Sequence, residues 1–162
     1  MAVPHLLVGA GIGRVVRRPV VAFGIGVASH FALDALPHVD AASFLRAPTG
    51  QDTPAAYAVA VADVLVGVLL LAWAVRRAGP GWARAMVAGA LGAMMMDAVE
   101  YVPVWGSPLS HVSLCAKIFA LHHAISGRLP DAEWPVGFST QIIVALLMVW
   151  ALSRGHGGPR HA

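Results

Sequence analysis

The stretch Ser29-His30-Phe31-Ala32-Leu33-Asp34-Ala35-Leu36-Pro37-His38-Val39-Asp40 decides how the chain is read. It sets two histidines and two aspartates at the end of a segment, 19–36, that is otherwise apolar enough to enter a membrane. Pro19 opens that segment and Pro37 closes it. His30, Asp34 and His38 recur every four residues, and on a helix this spacing drifts by only about 40° per step, so the three share one stripe. Imidazole and carboxylate on one stripe form a candidate metal-binding edge. Ionisable groups in an apolar helix are costly, so their presence asks for a reason.

Outward from this stretch the same character continues. The 162 residues are 58% hydrophobic and 12% charged, with a mean hydropathy of +0.72, whereas a soluble domain is about 25% charged. One polytopic transmembrane domain, 1–162, is expected. A spanning helix needs roughly 20 mostly apolar residues, and 19–36, 55–75, 82–105 and 136–152 qualify. Residues 3–16 are apolar but short and glycine-rich, which predicts a short, tilted or partly inserted helix. Lys117 and several histidines make 109–126 too polar to face lipid, so a helix lying at the interface or packed inside the bundle is predicted there. The fold class is therefore all-α, a bundle of about four full spans with a short N-terminal helix and an interfacial helix.

Arginines cluster in short loops (Arg14, Arg17, Arg18; Arg76, Arg77, Arg84; Arg154, Arg160), which accounts for the net charge of +3 without nucleic acid. These loops should be cytoplasmic, leaving 37–54, 106–108 and 127–135 outside. Trp73, Trp82, Trp105, Trp134 and Trp150 lie near span ends, as belt residues do. The single cysteine, Cys115, excludes an internal disulfide and a cysteine-based zinc site. No cleavable signal peptide is expected, since no basic stretch precedes the first apolar run.

Depth gathers the polar residues. With Pro37, Pro54 and Trp105 as outer ends and a rise of about 1.5 Å per residue, Asp34 lies roughly 5 Å in and His30 roughly 10 Å. On the same scale Asp63 lies roughly 13 Å in, Glu100 roughly 7 Å and Asp97 roughly 12 Å. Three helices thus place acids or histidines in one slab of the outer half. His5 and His38 fall near the same surface. Asp97 and Glu100, three apart, face one way, and paired carboxylates repel unless a cation or a proton lies between them. Insertion costs about 2.5–3.5 kcal/mol per central ionised Asp, which a bound divalent cation would offset. His122 and His123 are adjacent, so their rings diverge by about 100° and only one readily joins an axial site.

Bland roles compete. For Asp63, a helix–helix hydrogen bond and a metal ligand weigh evenly; for His38 and Asp40, past Pro37, so do ligand and solvated loop. His111 reads as a loop residue, and His156 and His161 as tail residues. Met94-Met95-Met96 face all round a helix and read as packing rather than copper ligands. Gly9, Gly11 and Gly13 follow no strand and read as close helix packing.

Pro4-His5-Leu6-Leu7-Val8-Gly9-Ala10 and Ser29-His30-Phe31-Ala32-Leu33-Asp34 together resemble the opening elements of the small bacterial and archaeal integral-membrane proteins known as membrane-bound metal-dependent hydrolases. The likeness covers about the first quarter of the chain. The Pro-Asp-x-Asp and His-Arg-x-x-x-His-Ser elements of that group are missing, with Leu36-Pro37-His38-Val39-Asp40 a distant echo of the first. The resemblance implies a divalent-metal site with His5, His30 and Asp34 among its ligands, hydrolysis, and residence in a bacterial or archaeal cytoplasmic membrane.

The expected function is a metal-dependent hydrolase acting on a lipid or lipid-linked substrate at the outer leaflet. Its metal ligands are drawn from His30, Asp34, Asp63, Asp97, His122, His123, His38 and His5. Glu100 is the candidate general base, with Asp97 beside it. Mixed His and carboxylate donors favour zinc, then manganese or iron, over copper(I). The alternatives are a metal-ion or proton transporter or channel, which needs polar groups through the whole thickness, and a non-catalytic assembly subunit.

Overall fold

The computed structural model describes residues 1–39, 45, 53–101, 108–130 and 133–154, apart from the side chains at 100 and 101. Six helices of thirteen residues or more are described: α1 (Ala2–Val16), α2 (Pro19–Asp34), α3 (Pro54–Ala78), α4 (Pro80–Tyr101), α5 (Ser113–Ile125) and α6 (Trp134–Ser153). The all-helical expectation holds. Among the described residues, only α3 and α6 combine the length and apolar composition needed to cross a membrane. Asp40, His156 and His161 lie outside the described residues, and so does the side chain of Glu100.

Local chemistry sets the helix ends. Prolines stand within the first two positions of α2, α3 and α6, where a missing N–H costs nothing. Thr53 caps α3 by accepting the N–H of Ala56 at 3.1 Å. Gly79, at φ 87°, ends α3, and Pro80 starts α4 directly after it. Arg17, left-handed at φ 62°, ends α1.

The short apolar helix α1 occupies the centre of the bundle. It packs against α2, α3, α4 and α6, and Leu7 and Ala10 have no exposed surface. Its glycines make this possible. A Cβ on Gly9 would strike the backbone of Gly89, and one on Gly13 the backbone of Ala85. Gly26 of α2 meets Gly89 in the same way. Three helix backbones therefore cross at van der Waals contact, the small-residue packing that suits apolar helices lacking a hydrophobic drive to associate.

The bundle has two unlike ends. At one, Arg14 donates to the carbonyls of Leu152 (2.7 Å) and Arg154 (3.3 Å), Arg17 stacks over Trp82 and Arg154 over Trp150. Cationic side chains here satisfy helix C-terminal carbonyls and lie on aromatic faces. The opposite end holds histidines and aspartates. Between them the core is apolar, with Val3, Leu7, Ala10, Ala74, Met86 and Leu152 in one cluster.

The outside is apolar too. Only 11% of the apolar stretch of α3 and 17% of that of α6 is buried, whereas the core helix of a soluble protein is mostly buried. Val61, Leu65 and Leu69 on α3 and Ile143, Leu146 and Leu147 on α6 are exposed large apolar side chains on the outside of the bundle.

Candidate metal centre

The site begins with the last turn of α2. His30 and Asp34 are one helical turn apart, and His30 Nε2 lies 3.2 Å from Asp34 Oδ2. From α5, 88 residues later, His122 Nε2 comes within 2.6 Å of the same oxygen and 3.1 Å of His30 Nε2. From α1, His5 Nε2 approaches the other carboxylate oxygen, Asp34 Oδ1, at 3.0 Å. Asp97 on α4 sits 3.7 Å from His30 Nε2. His5, His30, Asp34 and His122 are all buried, and Asp97 is partly exposed.

Backbone pairing sets how α5 meets α2. After α2 the chain runs beside 127–129 as an isolated parallel bridge between His38 and Arg128. Gly127 donates to the Asp34 carbonyl (2.6 Å), His38 to the Gly127 carbonyl and Leu129 to the His38 carbonyl. A side chain at 127 would collide with the Ala35 and Leu36 carbonyls, so glycine allows the approach that carries His122 to Asp34.

Three imidazoles have their protonation pattern set by main-chain carbonyls. Nδ1 of His5 meets the Met1 carbonyl (2.8 Å), Nδ1 of His30 the Ala93 carbonyl (2.8 Å) and Nδ1 of His38 the Leu36 carbonyl (3.0 Å). A carbonyl only accepts, so in each neutral ring Nδ1 carries the hydrogen and Nε2 keeps its lone pair. Metal-binding histidines are typically held this way. The consequence at Asp34 is electrostatic. With neutral rings, His122 can donate into the carboxylate, whereas His5 and His30 bring unprotonated nitrogens close to its oxygens. A cation among these atoms, or extra protons on the rings, has to balance them.

Donor atoms of His30, Asp34, Asp97 and His122 all lie within 4.8 Å of one another, a cluster that could hold a metal ion. Ligands about 2.0–2.2 Å from one ion are themselves about 3.0–3.5 Å apart, close to the separations of His30 from Asp34 and His122. A polar cavity opens beside the cluster, lined by His5, Asp34, His38, Asp97, His122, His123 and Arg128 among others.

Of the residues singled out from sequence, His5, His30, Asp34, Asp97 and His122 meet here. His38 and His123 line the cavity without belonging to the four-residue cluster. Asp63 is engaged elsewhere, accepting the N–H groups of Ala2 and Val3 at the start of α1, and is not one of the four. Gln141 escaped notice. It is buried on α6 and donates from Nε2 to the Val39 carbonyl at 3.0 Å. An amide inside an otherwise apolar helix was the available signal. Compared with protein-family models, curated proteins and solved structures, the chain matches none.

Proposed function

We propose that this chain is a membrane-embedded metal-dependent hydrolase acting on a lipid or lipid-linked substrate at the outer leaflet, with α2, α3, α4 and α6 as its four spans. The observation that carries this is the convergence of His30, Asp34, Asp97 and His122 beside a polar cavity at one end of a bundle with apolar outer faces on α3 and α6. The arginine-rich opposite end is the cytoplasmic one by the positive-inside rule. A conduit would need ionisable groups along its length, whereas the described core between the two ends is apolar.

The donor set fits zinc first, then manganese or iron. A divalent ion there would polarise a phosphoryl or acyl oxygen and acidify a bound water. His30 and Asp34 would hold that ion from one turn of α2, with the Ala93 carbonyl fixing the His30 ring. Asp97, the most exposed of the four and the farthest from His30, would be the weakest-held donor of the set and so the one free to take a proton from an attacking water. His123, Ser126 and Arg128 line the same cavity and offer donors to a polar headgroup.

The test is elemental analysis of the detergent-purified protein beside a His30→Ala/Asp34→Ala double variant, both shown to be folded, with release of fatty acid and phosphate followed from mixed phospholipid vesicles. Near-stoichiometric zinc, manganese or iron in the parent, lost together with hydrolysis in the variant, is expected. A parent that takes up no added metal overturns the assignment.

A further inference from the structure

We propose a second divalent-cation site at the Oδ1 edge of Asp34, shared with His5, so that the Asp34 carboxylate bridges two ions. It rests on the metal assignment above and extends it. The two carboxylate oxygens have separate partners. Oδ2 faces His122 at 2.6 Å and His30 at 3.2 Å, while Oδ1 faces His5 at 3.0 Å. His5 is not part of the His30, Asp34, Asp97, His122 cluster; its ring lies 4.6 Å from that of His30 between centroids, and what differs is the carboxylate oxygen that its nitrogen addresses.

That nitrogen is the telling atom. His5 is 6% exposed, its Nδ1 hydrogen is committed to the Met1 carbonyl, and its Nε2 makes no hydrogen bond among the described residues. It approaches Oδ1 to hydrogen-bond distance without hydrogen-bond alignment. Two lone-pair donors 3.0 Å apart that do not point at each other are placed as adjacent ligands of one ion, since donors about 2.1 Å from a metal at a right angle are about 3.0 Å apart. A buried acceptor left without a partner is costly, and coordination removes that cost.

A second orphan lies on the same wall. His5, Asp34 and Gln141 line one cavity, otherwise mostly apolar, with Pro4, Leu33 and Val144. Gln141 is 8% exposed. Its Nε2 is fixed by the Val39 carbonyl, and its Oε1 has no hydrogen-bond partner among the described residues. A water on the second ion is a strong donor, and Gln141 Oε1 accepts from it. His5 and Asp34 Oδ1 are the direct ligands. Ions paired about 3.5–4 Å apart across a shared carboxylate form the clamp used to hydrolyse phosphoryl and related bonds.

The full chain in detergent, stripped with chelator and titrated with manganese(II), tests this by metal stoichiometry and electron paramagnetic resonance. Two ions per chain with an exchange-coupled spectrum are expected. His5→Ala should retain one ion and lose the coupling, with the second equivalent at least ~10–100-fold weaker. Gln141→Met should weaken the second equivalent about tenfold while sparing the first. The parent's spectrum needs no variant, so misfolding of either leaves the test intact. One ion with an isolated six-line spectrum overturns the second site and leaves the first. Two ions unaffected by His5→Ala also overturn it. No ion at all overturns both.

Discussion

His122 Nε2 lies 2.6 Å from Asp34 Oδ2, although 88 residues separate them. His123, the neighbouring ring, stacks on His122 at 5.7 Å between centroids and is not part of the four-residue cluster. His122→Ala should therefore lower metal affinity at least tenfold, whereas His123→Ala, which removes a stacking ring and no donor atom of the cluster, should cost less than His122→Ala. Isothermal titration of both variants with zinc checks the pair; equal losses would mean that the two rings share the ion.

Asp63 caps the start of α1 through the N–H groups of Ala2 and Val3. Its removal should act on stability rather than on the metal. Asp63→Ala is expected to cost about 0.5–2 kcal/mol, the range for a lost N-cap, with metal content unchanged. Thermal unfolding and elemental analysis on one sample decide this, and metal loss from a folded variant would make Asp63 a ligand instead.

The crossing of α1 on α4 sets a second contrast. Gly9→Ala drives a methyl into the Gly89 backbone, which cannot move aside as a side chain could, while Gly24→Ala meets nothing within 4 Å. Gly9→Ala should cost at least the ~1–3 kcal/mol of an overpacked core. Gly24→Ala should be neutral or stabilising by up to about 1 kcal/mol, as expected for Gly→Ala at a compatible helical position. Unfolding midpoints in one detergent measure both.

Acid should release the metal. Imidazole ligands bind neutral and carboxylate ligands ionised, so protons compete with the ion. Binding is complete above the range in which the ligands protonate and is lost as pH falls through it. With His30 and His122 as ligands, log Kd should rise by up to about 2 per pH unit on the acid side. Competition with a chromogenic chelator across pH measures the slope, and a flat profile would argue against imidazole ligation.

Much of this was legible because it is local or additive. The His30–Asp34 pair follows from one helical turn, and the common depth of His30, Asp34 and Asp97 from counting residues. Asp63 shows the limit. Its depth matched the others, but its partners are backbone N–H groups 60 and 61 residues away, and capping of that kind leaves no periodic trace. The central place of α1 was equally hidden, because its length predicted only a short, tilted or partly inserted helix. Its glycines signalled close packing without saying against what. The choice of His122 over His123 depended on the pairing of 127–129 with 37–39, which no spacing rule contains.

The link from Arg14 to the Leu152 carbonyl joins the first helix to the last across 138 residues. At synthesis rates of about 5–20 residues per second, α1 waits roughly 7–28 s before its partner exists. During that interval a helix destined for the centre of the bundle has no α6 to cover it, and the segment that bears His5 has no finished site to enter. The bundle is therefore built from its centre outward, and slow arrival of α6 would prolong the exposure of α1 more than that of any other element.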